Sequence, residues 1–226
     1  MVPSTILTRK GSVDICTGFP AGRSDELVFG INTSDPAYQP IYTRKQTLEQ
    51  LAPRGENLCL ALFRKKMIVG YALIAPPSQN SRWARVDSLP LVELKAVEVA
   101  CPFRNQGIAG HLLTRLFSGS TFDDHIVFLT AYAWLWDMAH TDLSCDAYRE
   151  MLMTLYARFG FESCQTNEPN VCLKPENIFM ARIGKNVSSN DRECFKWLRF
   201  GITSPVGNFS DGNAIENSEK NSYVPE

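Results

Sequence analysis

The segment formed by residues 91–119 constrains the fold of this chain most strongly, because it joins a strand pattern to a helix pattern through one tight loop. Residues 91–100 are rich in Val and Leu, carry interleaved charges and contain no Gly or Pro, which is typical of a β-strand. The apolar positions that follow the loop recur at the spacing of one helical face: Ile108, Leu112, Leu113, Leu116 and Phe117. The segment therefore predicts a strand that leads directly into an amphipathic helix.

The loop between strand and helix, residues 104–110, has the composition of an anion-binding site. The N–H groups of a first helical turn have no partner within the helix, and the helix dipole adds partial positive charge there. Gly107 and Gly110 would let a phosphate approach the backbone closely, and Arg104 adds a cation. Neither G-x-G-x-x-G nor G-x-x-x-x-G-K-[ST] occurs, which excludes two common phosphate loops. The alternative is an ordinary strand–loop–helix connection with a glycine in its turn.

The remaining patterns predict further strands on both sides of this segment. Apolar, turn-bounded runs indicate strands over residues 4–8, 13–17, 57–63, 67–75, 125–132 and 178–183. Helical spacing indicates helices over residues 43–51, 144–159 and 191–199. We expect residues 57–63, 67–75 and 91–100 to form an antiparallel meander.

Composition limits the class of protein and its compartment. The chain has 226 residues and a net charge of −1, which gives no global basic field for nucleic acid or a membrane surface. Its seven cysteines lack C-x-x-C spacing, which indicates reduced thiols, no metal site and a cytoplasmic protein. Residues 203–226 are dominated by polar residues, so we expect one domain over residues 1–202 and a disordered tail.

Two motifs resemble the GCN5-related N-acetyltransferase (GNAT) superfamily. Arg104-x-x-Gly107-x-Ala109 is similar to its Gln/Arg-x-x-Gly-x-Gly/Ala signature, and LYARFGF at residues 155–161 is similar to its L-Y-x-x-x-G-F segment. The resemblance implies an α/β (α+β) GNAT fold, with a central mixed, mostly antiparallel sheet flanked by helices. It also implies acetyl-CoA as the cosubstrate, with no metal.

Four further segments are similar to the bacterial acetoin-utilisation protein acetyltransferases: I-V-G-Y at 68–71, E-L-x-A-x-E-V-A at 93–100, W-x-W-D at 134–137 and M-A-R-I-G-K at 180–185. This narrower resemblance implies acetylation of a lysine of acetyl-CoA synthetase, which inactivates that enzyme, by direct attack of the amine on the thioester. Two alternatives remain open. One is a small-molecule amine N-acetyltransferase, and the other is a non-catalytic sensor that only binds acetyl-CoA.

The resemblance also assigns the cosubstrate site. Val97 and Val99 should run beside the pantetheine arm, and the N–H group near Val99 should bind the acetyl carbonyl oxygen. The loop should wrap the diphosphate, mainly through its backbone, with these residues: Arg104, Asn105, Gln106, Gly107, Ile108, Ala109 and Gly110.

Two glutamates are candidates for the base, since an amine with a pKa of about 10.4 is mostly cationic at neutral pH. Glu93 is the first choice, because the resemblance places a glutamate six residues before Val99. Glu98 is the second. Strict alternation puts Glu98 on an otherwise apolar face with Val92, Leu94 and Ala96. The alternatives are a surface ion pair between Glu93 and Lys95, and a structural role for Glu98; a β-bulge, common in the family, would change these faces.

Tyr156 is the candidate acid for the leaving thiolate, because it occupies the tyrosine position of the L-Y-x-x-x-G-F segment. The asparagine that the family carries seven residues earlier is Arg149 here. A core tyrosine packed beside the sheet is the alternative. The aromatic residues Tyr132, Trp134 and Trp136 would either line the lysine tunnel or pack in the core.

Overall fold

A computed structural model describes residues 4–22, 24–31, 40–53, 55, 57–86 and 88–202. The strands are β1 (Ser4–Thr8), β2 (Gly11–Thr17), β3 (Val28–Phe29), β4 (Leu58–Phe63), β5 (Met67–Ala75), β6 (Leu91–Val99), β7 (Ile126–Ala131), β8 (Glu162–Ser163) and β9 (Ile178–Ile183). The α-helices are α1 (Lys45–Leu51), α2 (Ile108–Leu116), α3 (Cys145–Ala157), α4 (Pro169–Cys172) and α5 (Ser189–Leu198).

These strands form one mixed sheet at the centre of the protein. Its order is β1-β2-β4-β5-β6-β7-β9-β8, with β3 beside β5. The pairs β3–β5 and β6–β7 are parallel, whereas the other pairs are antiparallel. The sheet is therefore mostly antiparallel, and its parallel β6–β7 pair is connected through α2.

Helix α2 follows β6 as the sequence predicts, and it packs against β4 and β5. Its buried side chains are those of the predicted apolar face: Ile108, Leu112, Leu113 and Leu116. Gly70 of β5 lies beneath the start of this helix, and a β-carbon there would lie 3.4 Å from Ile108 Cγ2 and 3.0 Å from the Glu98 carbonyl oxygen. The helix is thus held close to the centre of the sheet.

A second apolar cluster packs around Trp83, between α5 and strands β7 and β9. Trp83 is 7% exposed and stacks on Phe179, with ring centroids 4.9 Å apart. It also contacts Phe128 at 4.9 Å and Phe195 of α5 at 6.4 Å. Burying aromatic side chains of this size stabilises a fold by about 2 kcal/mol each, so this cluster anchors α5 against β7 and β9.

The predicted strands and helices are present within two residues of their expected bounds. The two-residue strand β3 was not predicted, since the pattern of residues 25–30 is too short to show a period. The expected tail, residues 203–226, lies outside the described residues. Among the residues that the structure describes, no helix is long and apolar enough to cross a membrane.

Candidate active site

A cavity opens in the sheet where β6 and β7 separate. The two strands pair only over Leu91–Ile126, Val92–Val127 and Glu93–Phe128. Beyond Glu93 they diverge, and residues from β6, β7, α2 and α3 line a cavity of about 960 Å³. A volume of this size can hold a ligand as large as a nucleotide cosubstrate.

The backbone of β6 presents groups without a strand partner to this cavity. The Ala100 N–H donates to the Val69 carbonyl at 2.8 Å, so Ala100 is a hydrogen-bonded position of the β5–β6 ladder. In an antiparallel ladder such positions alternate, so Val97 and Val99 direct their N–H and C=O groups away from β5. Because β7 has already diverged, these groups face the cavity, where the Val99 carbonyl accepts from Arg104 Nε at 2.8 Å. The two N–H groups are placed as expected for donors to a pantetheine arm and an acetyl oxygen.

A β-bulge at Lys95 changes which β6 side chains share a face. Leu94 is opposite Ile74 and Ala96 is opposite Leu73, which leaves Lys95 as the extra residue. Glu93 and Glu98 are opposite Ala75 and Tyr71, two positions on the same face of β5. The face assigned by strict alternation is therefore wrong for Leu94 and Val92, and the bulge brings the two candidate bases to one side of the sheet.

Glu98 lines the cavity and is only 7% exposed. Burial, together with the nearby Glu98 carboxylate, raises the pKa values of Tyr71 and Tyr156. For Tyr148, burial again raises the pKa, Arg104 opposes this rise, and Glu98 adds to it. The carboxylate thus lies within electrostatic reach of several tyrosines around the same space.

Glu93 has a different environment at the edge of this region. Its carboxylate forms an ion pair with Lys95 Nζ, which also donates to Ser78 Oγ at 3.3 Å. The ion pair that the sequence offered as an alternative role for Glu93 is therefore present. Glu93 is not among the cavity-lining residues, although its charge contributes to the raised pKa values of Tyr42 and Tyr132 after the larger effect of burial.

Residues 104–110, the phosphate loop, have the backbone shape of an anion cradle. Asn105 and Gly107 adopt left-handed conformations with φ of 58° and 79°, and Gly107 is the N-cap of α2. A β-carbon on Gly110 would meet no atom within 4 Å, so the space above the first turn is open. Six of the seven predicted loop residues line the cavity: Arg104, Asn105, Gly107, Ile108, Ala109 and Gly110.

Gln106 is the exception among the predicted loop residues. Its Oε1 accepts a hydrogen bond of 2.6 Å from the Arg9 backbone N–H, in the β1–β2 turn. Its Nε2 donates to the Pro102 carbonyl at 3.4 Å. The side chain thus braces the loop from outside the cavity, and only its backbone remains for ligand contact.

Arg104 is fixed by the segment that follows β7. It forms an ion pair with Asp137, and its Nε donates to the Val99 carbonyl at 2.8 Å. Asp137 is 2% exposed and its Oδ1 lies 2.7 Å from His140 Nδ1. Burial alone would raise the pKa of Asp137, but its hydrogen bonds with His140 and Arg104 outweigh that effect and lower it.

Aromatic side chains form the wall opposite β6. Tyr148 of α3 stacks on Trp136, with ring centroids 5.2 Å apart, and Tyr156 of the same helix is 8% exposed. All three line the cavity. Tyr156 is also 6.0 Å from the Phe161 ring, so it packs in the core and borders the cavity at once.

The mouth of the cavity carries an unusual amount of exposed apolar surface. Trp134 is 56% exposed and stacks on Tyr132, with centroids 4.6 Å apart and planes inclined by 10°. Several large apolar side chains among the cavity-lining residues are also exposed: Ile41, Leu135, Leu143 and Met151. These five exposed side chains, Ile41, Trp134, Leu135, Leu143 and Met151, are called the apolar rim below.

Comparison with known proteins identifies the family. No protein-family model matches the chain. The acetoin utilization protein AcuA of Bacillus subtilis is 32% identical over 181 residues, which cover 80% of this chain and 86% of that protein. AcuA of Bacillus licheniformis is 32% identical over 195 residues, covering 85% and 91%. The chain belongs to the AcuA family of acetoin utilization proteins.

A solved structure of the same kind supports the assignment to the AcuA family. The crystal structure of the acetoin utilization protein from Exiguobacterium sibiricum superimposes with a TM-score of 0.79 at 26% identity, over 88% of this chain and 93% of that one. The expected architecture, a central mixed and mostly antiparallel sheet flanked by helices, is confirmed.

Three features of this AcuA-family site were missed from the sequence. Asp137 was noticed as part of the WLWD run, but nothing in the spacing linked it to Arg104, 33 residues earlier. Tyr148 gave no signal of its own, and the position of the bulge at Lys95 depends on pairing with β5.

Among the described residues, no group of three His, Cys, Asp or Glu side chains could hold a metal ion.

Proposed function

We propose that this protein transfers the acetyl group of acetyl-CoA to a lysine side chain of acetyl-CoA synthetase, with Glu98 as the base. The observation that carries the proposal is the position of Glu98. It is a buried carboxylate on the wall of the cavity that begins at the phosphate loop and ends at the apolar rim. A cytoplasmic location is part of the proposal and is consistent with the seven free thiols.

In the proposed reaction, the lysine nitrogen attacks the thioester carbonyl carbon. The N–H of Val99 faces the cavity and would donate to the carbonyl oxygen as negative charge develops there. A preorganised donor of this kind lowers the barrier by about 3 kcal/mol. The C–N bond forms, the C–S bond breaks, and CoA leaves as a thiolate.

Glu98 is favoured over Glu93 as the acceptor of the amine proton. Glu98 lines the cavity, whereas the carboxylate of Glu93 is held by Lys95. General-base catalysis requires the base to be within hydrogen-bond reach of the amine, directly or through one water molecule. A role for Glu93 in attracting the cationic lysine fits its place on the same face of the sheet.

Tyr156 is proposed to donate a hydrogen bond to the leaving sulfur. Burial and the Glu98 charge raise the pKa of Tyr156, which keeps its hydroxyl protonated. A phenol with a raised pKa is a weaker acid than a thiol, whose usual pKa is about 8.5. Tyr156 therefore stabilises the thiolate without giving up its proton, and the proton released by the amine completes the CoA thiol.

The apolar rim supports a protein acceptor over a small amine. Exposed apolar side chains that surround a cavity mouth are typical of a surface that contacts another macromolecule. The stacked rings of Tyr132 and Trp134 offer a flat surface for the aliphatic stem of a lysine and for its cation. Membership in the AcuA family favours acetyl-CoA synthetase as that protein.

The test is release of CoA from acetyl-CoA with purified acetyl-CoA synthetase as acceptor, followed by mass spectrometry of the synthetase. The wild type should modify one lysine, Glu98→Gln should lower kcat by about 100-fold or more, and the matched variant Glu93→Gln should keep most of the activity. A larger loss with Glu93→Gln would make Glu93 the base. Release of CoA with small amines alone would contradict the protein acceptor, and binding without release of CoA would indicate a sensor.

A further inference from the structure

A lysine side chain lies on the wall of the cavity, at the β-bulge of β6. Lys95 lines the cavity, and its side chain is only 10% exposed. A buried ammonium group is costly unless it is paired. Lys95 forms an ion pair with the carboxylate of Glu93 and donates to Ser78 Oγ at 3.3 Å. The protein therefore binds a primary ammonium group of its own at this place.

The β-bulge produces this arrangement. Lys95 is the extra residue of β6 and has no partner on β5. The bulge also brings Glu93 to the face of the sheet that carries Glu98. One inserted residue thus places the Glu93 carboxylate on the side of the candidate base and supplies the cation that neutralises it.

The ion pair lies toward the acceptor end of the cavity. Burial is the main cause that raises the pKa of Tyr132, and the charge of Glu93 adds to this rise, so the carboxylate is within electrostatic reach of that ring. Tyr132 lines the cavity and stacks on Trp134 of the apolar rim. Val99, whose N–H would bind the acetyl oxygen, follows Lys95 on the same strand. A lysine that enters past the rim therefore approaches Glu93 and Lys95 on its way to the thioester.

An acceptor lysine presents the same group as Lys95, an ammonium at the end of a four-carbon stem. One carboxylate compensates one such charge. Two ammonium groups at Glu93 would leave a positive charge without compensation in a partly buried place, which is unfavourable. The acceptor cation and Lys95 must therefore compete for Glu93.

We propose that Glu93 and Ser78 form a binding site for the primary ammonium group of the acceptor, and that Lys95 occupies this site as an internal competitor until the acceptor displaces it. Lys95 thereby determines specificity. It compensates Glu93 in the empty site and weakens the binding of simple cations, so an acceptor needs further contacts, such as those of the apolar rim. This inference rests on the proposed function in that the acceptor is a lysine, and it adds a role for Lys95.

The test measures binding of butylammonium, which has the stem and head group of a lysine side chain, to the whole protein with CoA in excess. CoA carries no acetyl group, so no reaction occurs. In a ligand-observed NMR titration, Lys95→Gln should bind butylammonium about 10-fold more tightly than the wild type, because the competing charge is gone while a hydrogen-bond donor remains. Lys95→Arg keeps the charge and should bind it as the wild type does. Butanol, the neutral analogue, should bind to wild type and Lys95→Gln alike.

Two further variants locate the effect. Adding Glu93→Gln to Lys95→Gln should remove the gain in affinity, because the carboxylate is then absent. Lys196→Gln is the matched control: Lys196 also pairs with a glutamate, Glu193 at 3.4 Å, but on α5 and not among the cavity-lining residues. This variant should bind butylammonium as the wild type does.

A crystal structure of the wild type at saturating butylammonium provides a measurement that does not depend on the stability of any variant. The ligand nitrogen should lie within hydrogen-bond distance of the Glu93 carboxylate, with Lys95 Nζ moved away. The proposal is overturned if Lys95 stays on Glu93 in that structure, if Lys95→Gln gains no affinity, or if the gain persists without the Glu93 carboxylate or appears equally in Lys95→Arg or Lys196→Gln.

These outcomes are separate from those that test the proposed function, because no acetyl group is present. Acetylation of the synthetase without this binding pattern would overturn the competitor role of Lys95 alone. The binding pattern without acetylation of the synthetase would support the ammonium site and contradict the proposed acceptor.

Discussion

The carboxylate of Asp137 and the guanidinium of Arg104 form an ion pair that joins the segment after β7 to the first residue of the phosphate loop. The same guanidinium donates to the carbonyl of Val99, on the strand that would hold the acetyl group. The charge of Arg104 is therefore compensated within the protein. Affinity for the diphosphate should depend mainly on the backbone of the loop, and Asp137 should act on the reaction through the position of that loop.

Asp137→Asn tests this positioning role. The substitution keeps the size of the side chain but removes the charge that holds Arg104, so we expect the KM for acetyl-CoA to rise several-fold with a smaller change in kcat. Unfolding in urea should show a loss of about 1–3 kcal/mol, the cost of leaving partly buried polar groups without full partners. An unchanged KM together with reduced stability would mean that the pair only supports the fold.

The pH dependence of stability should also report on Asp137. Its pKa is lowered in the folded protein, so it contributes stability that is present above the unfolded pKa of about 3.9 and is lost as pH falls through the folded value. We expect the free energy of unfolding of the wild type to fall more steeply below about pH 4 than that of Asp137→Asn. Parallel curves for the two proteins down to the acid transition would contradict this assignment.

Gly110→Ala separates ligand binding from folding. A β-carbon at this position meets no protein atom, and alanine is favoured over glycine in a helix by about 1 kcal/mol. The thermal unfolding temperature should therefore stay the same or rise, while the Kd for CoA increases because the methyl group enters the space of the ligand. Gly107→Ala is the contrasting variant, since its φ of 79° should make the alanine destabilising as well. Unaltered CoA affinity in Gly110→Ala would place the diphosphate elsewhere.

Tyr156→Phe keeps the packing of the ring and removes the hydroxyl. If the hydroxyl stabilises the leaving sulfur by a hydrogen bond, kcat should fall by about 100-fold with little change in the KM for acetyl-CoA. Burial raises the pKa of Tyr156, so its hydroxyl should stay protonated near pH 10. We therefore expect no loss of wild-type activity at that pH from ionisation of Tyr156. Wild-type kinetics in the phenylalanine variant would identify Tyr156 as a core residue alone.

Five of the seven cysteines should divide into two groups by reactivity. Burial is the main cause that raises the pKa of Cys16 to about 11 and that of Cys59 to about 12, so neither forms much thiolate near neutral pH. The exposed thiols are Cys101, Cys145 and Cys172. A short alkylation at pH 8 of the native protein, read by mass spectrometry, should label the exposed thiols and leave Cys16 and Cys59 unmodified until denaturant is added.

The fold could be predicted from the sequence wherever local pattern and pairing agree. The apolar face of α2, the strand pattern of β6 and the loop between them are encoded within one short segment, so their order and bounds were correct. The two-residue strand β3 could not be predicted, because its only support is pairing with Met67 and Ile68 of β5. Tertiary pairing, rather than propensity, defines such an element.

In the candidate site too, some features could be predicted from the sequence and others could not. The phosphate loop was predictable because glycines at a helix start have a local physical meaning. The faces of Glu93 and Glu98 were not predictable, because one extra residue at Lys95 inverts the alternation of the strand. The ion pair of Arg104 with Asp137 was also hidden, since the two residues are far apart in the sequence and only the fold brings them together.

The separation of β6 from β7 gives the protein an edge strand in the middle of its sheet. The backbone groups of Val97 and Val99 that face the cavity are left without strand partners by this separation, and groups of this kind are costly to bury without a hydrogen bond. The pantetheine arm of CoA carries two amides and can act as a short substitute strand between the two halves of the sheet. In the absence of the cosubstrate, the two halves are joined chiefly by the short β6–β7 ladder, so binding of acetyl-CoA should complete the sheet as well as deliver the acetyl group.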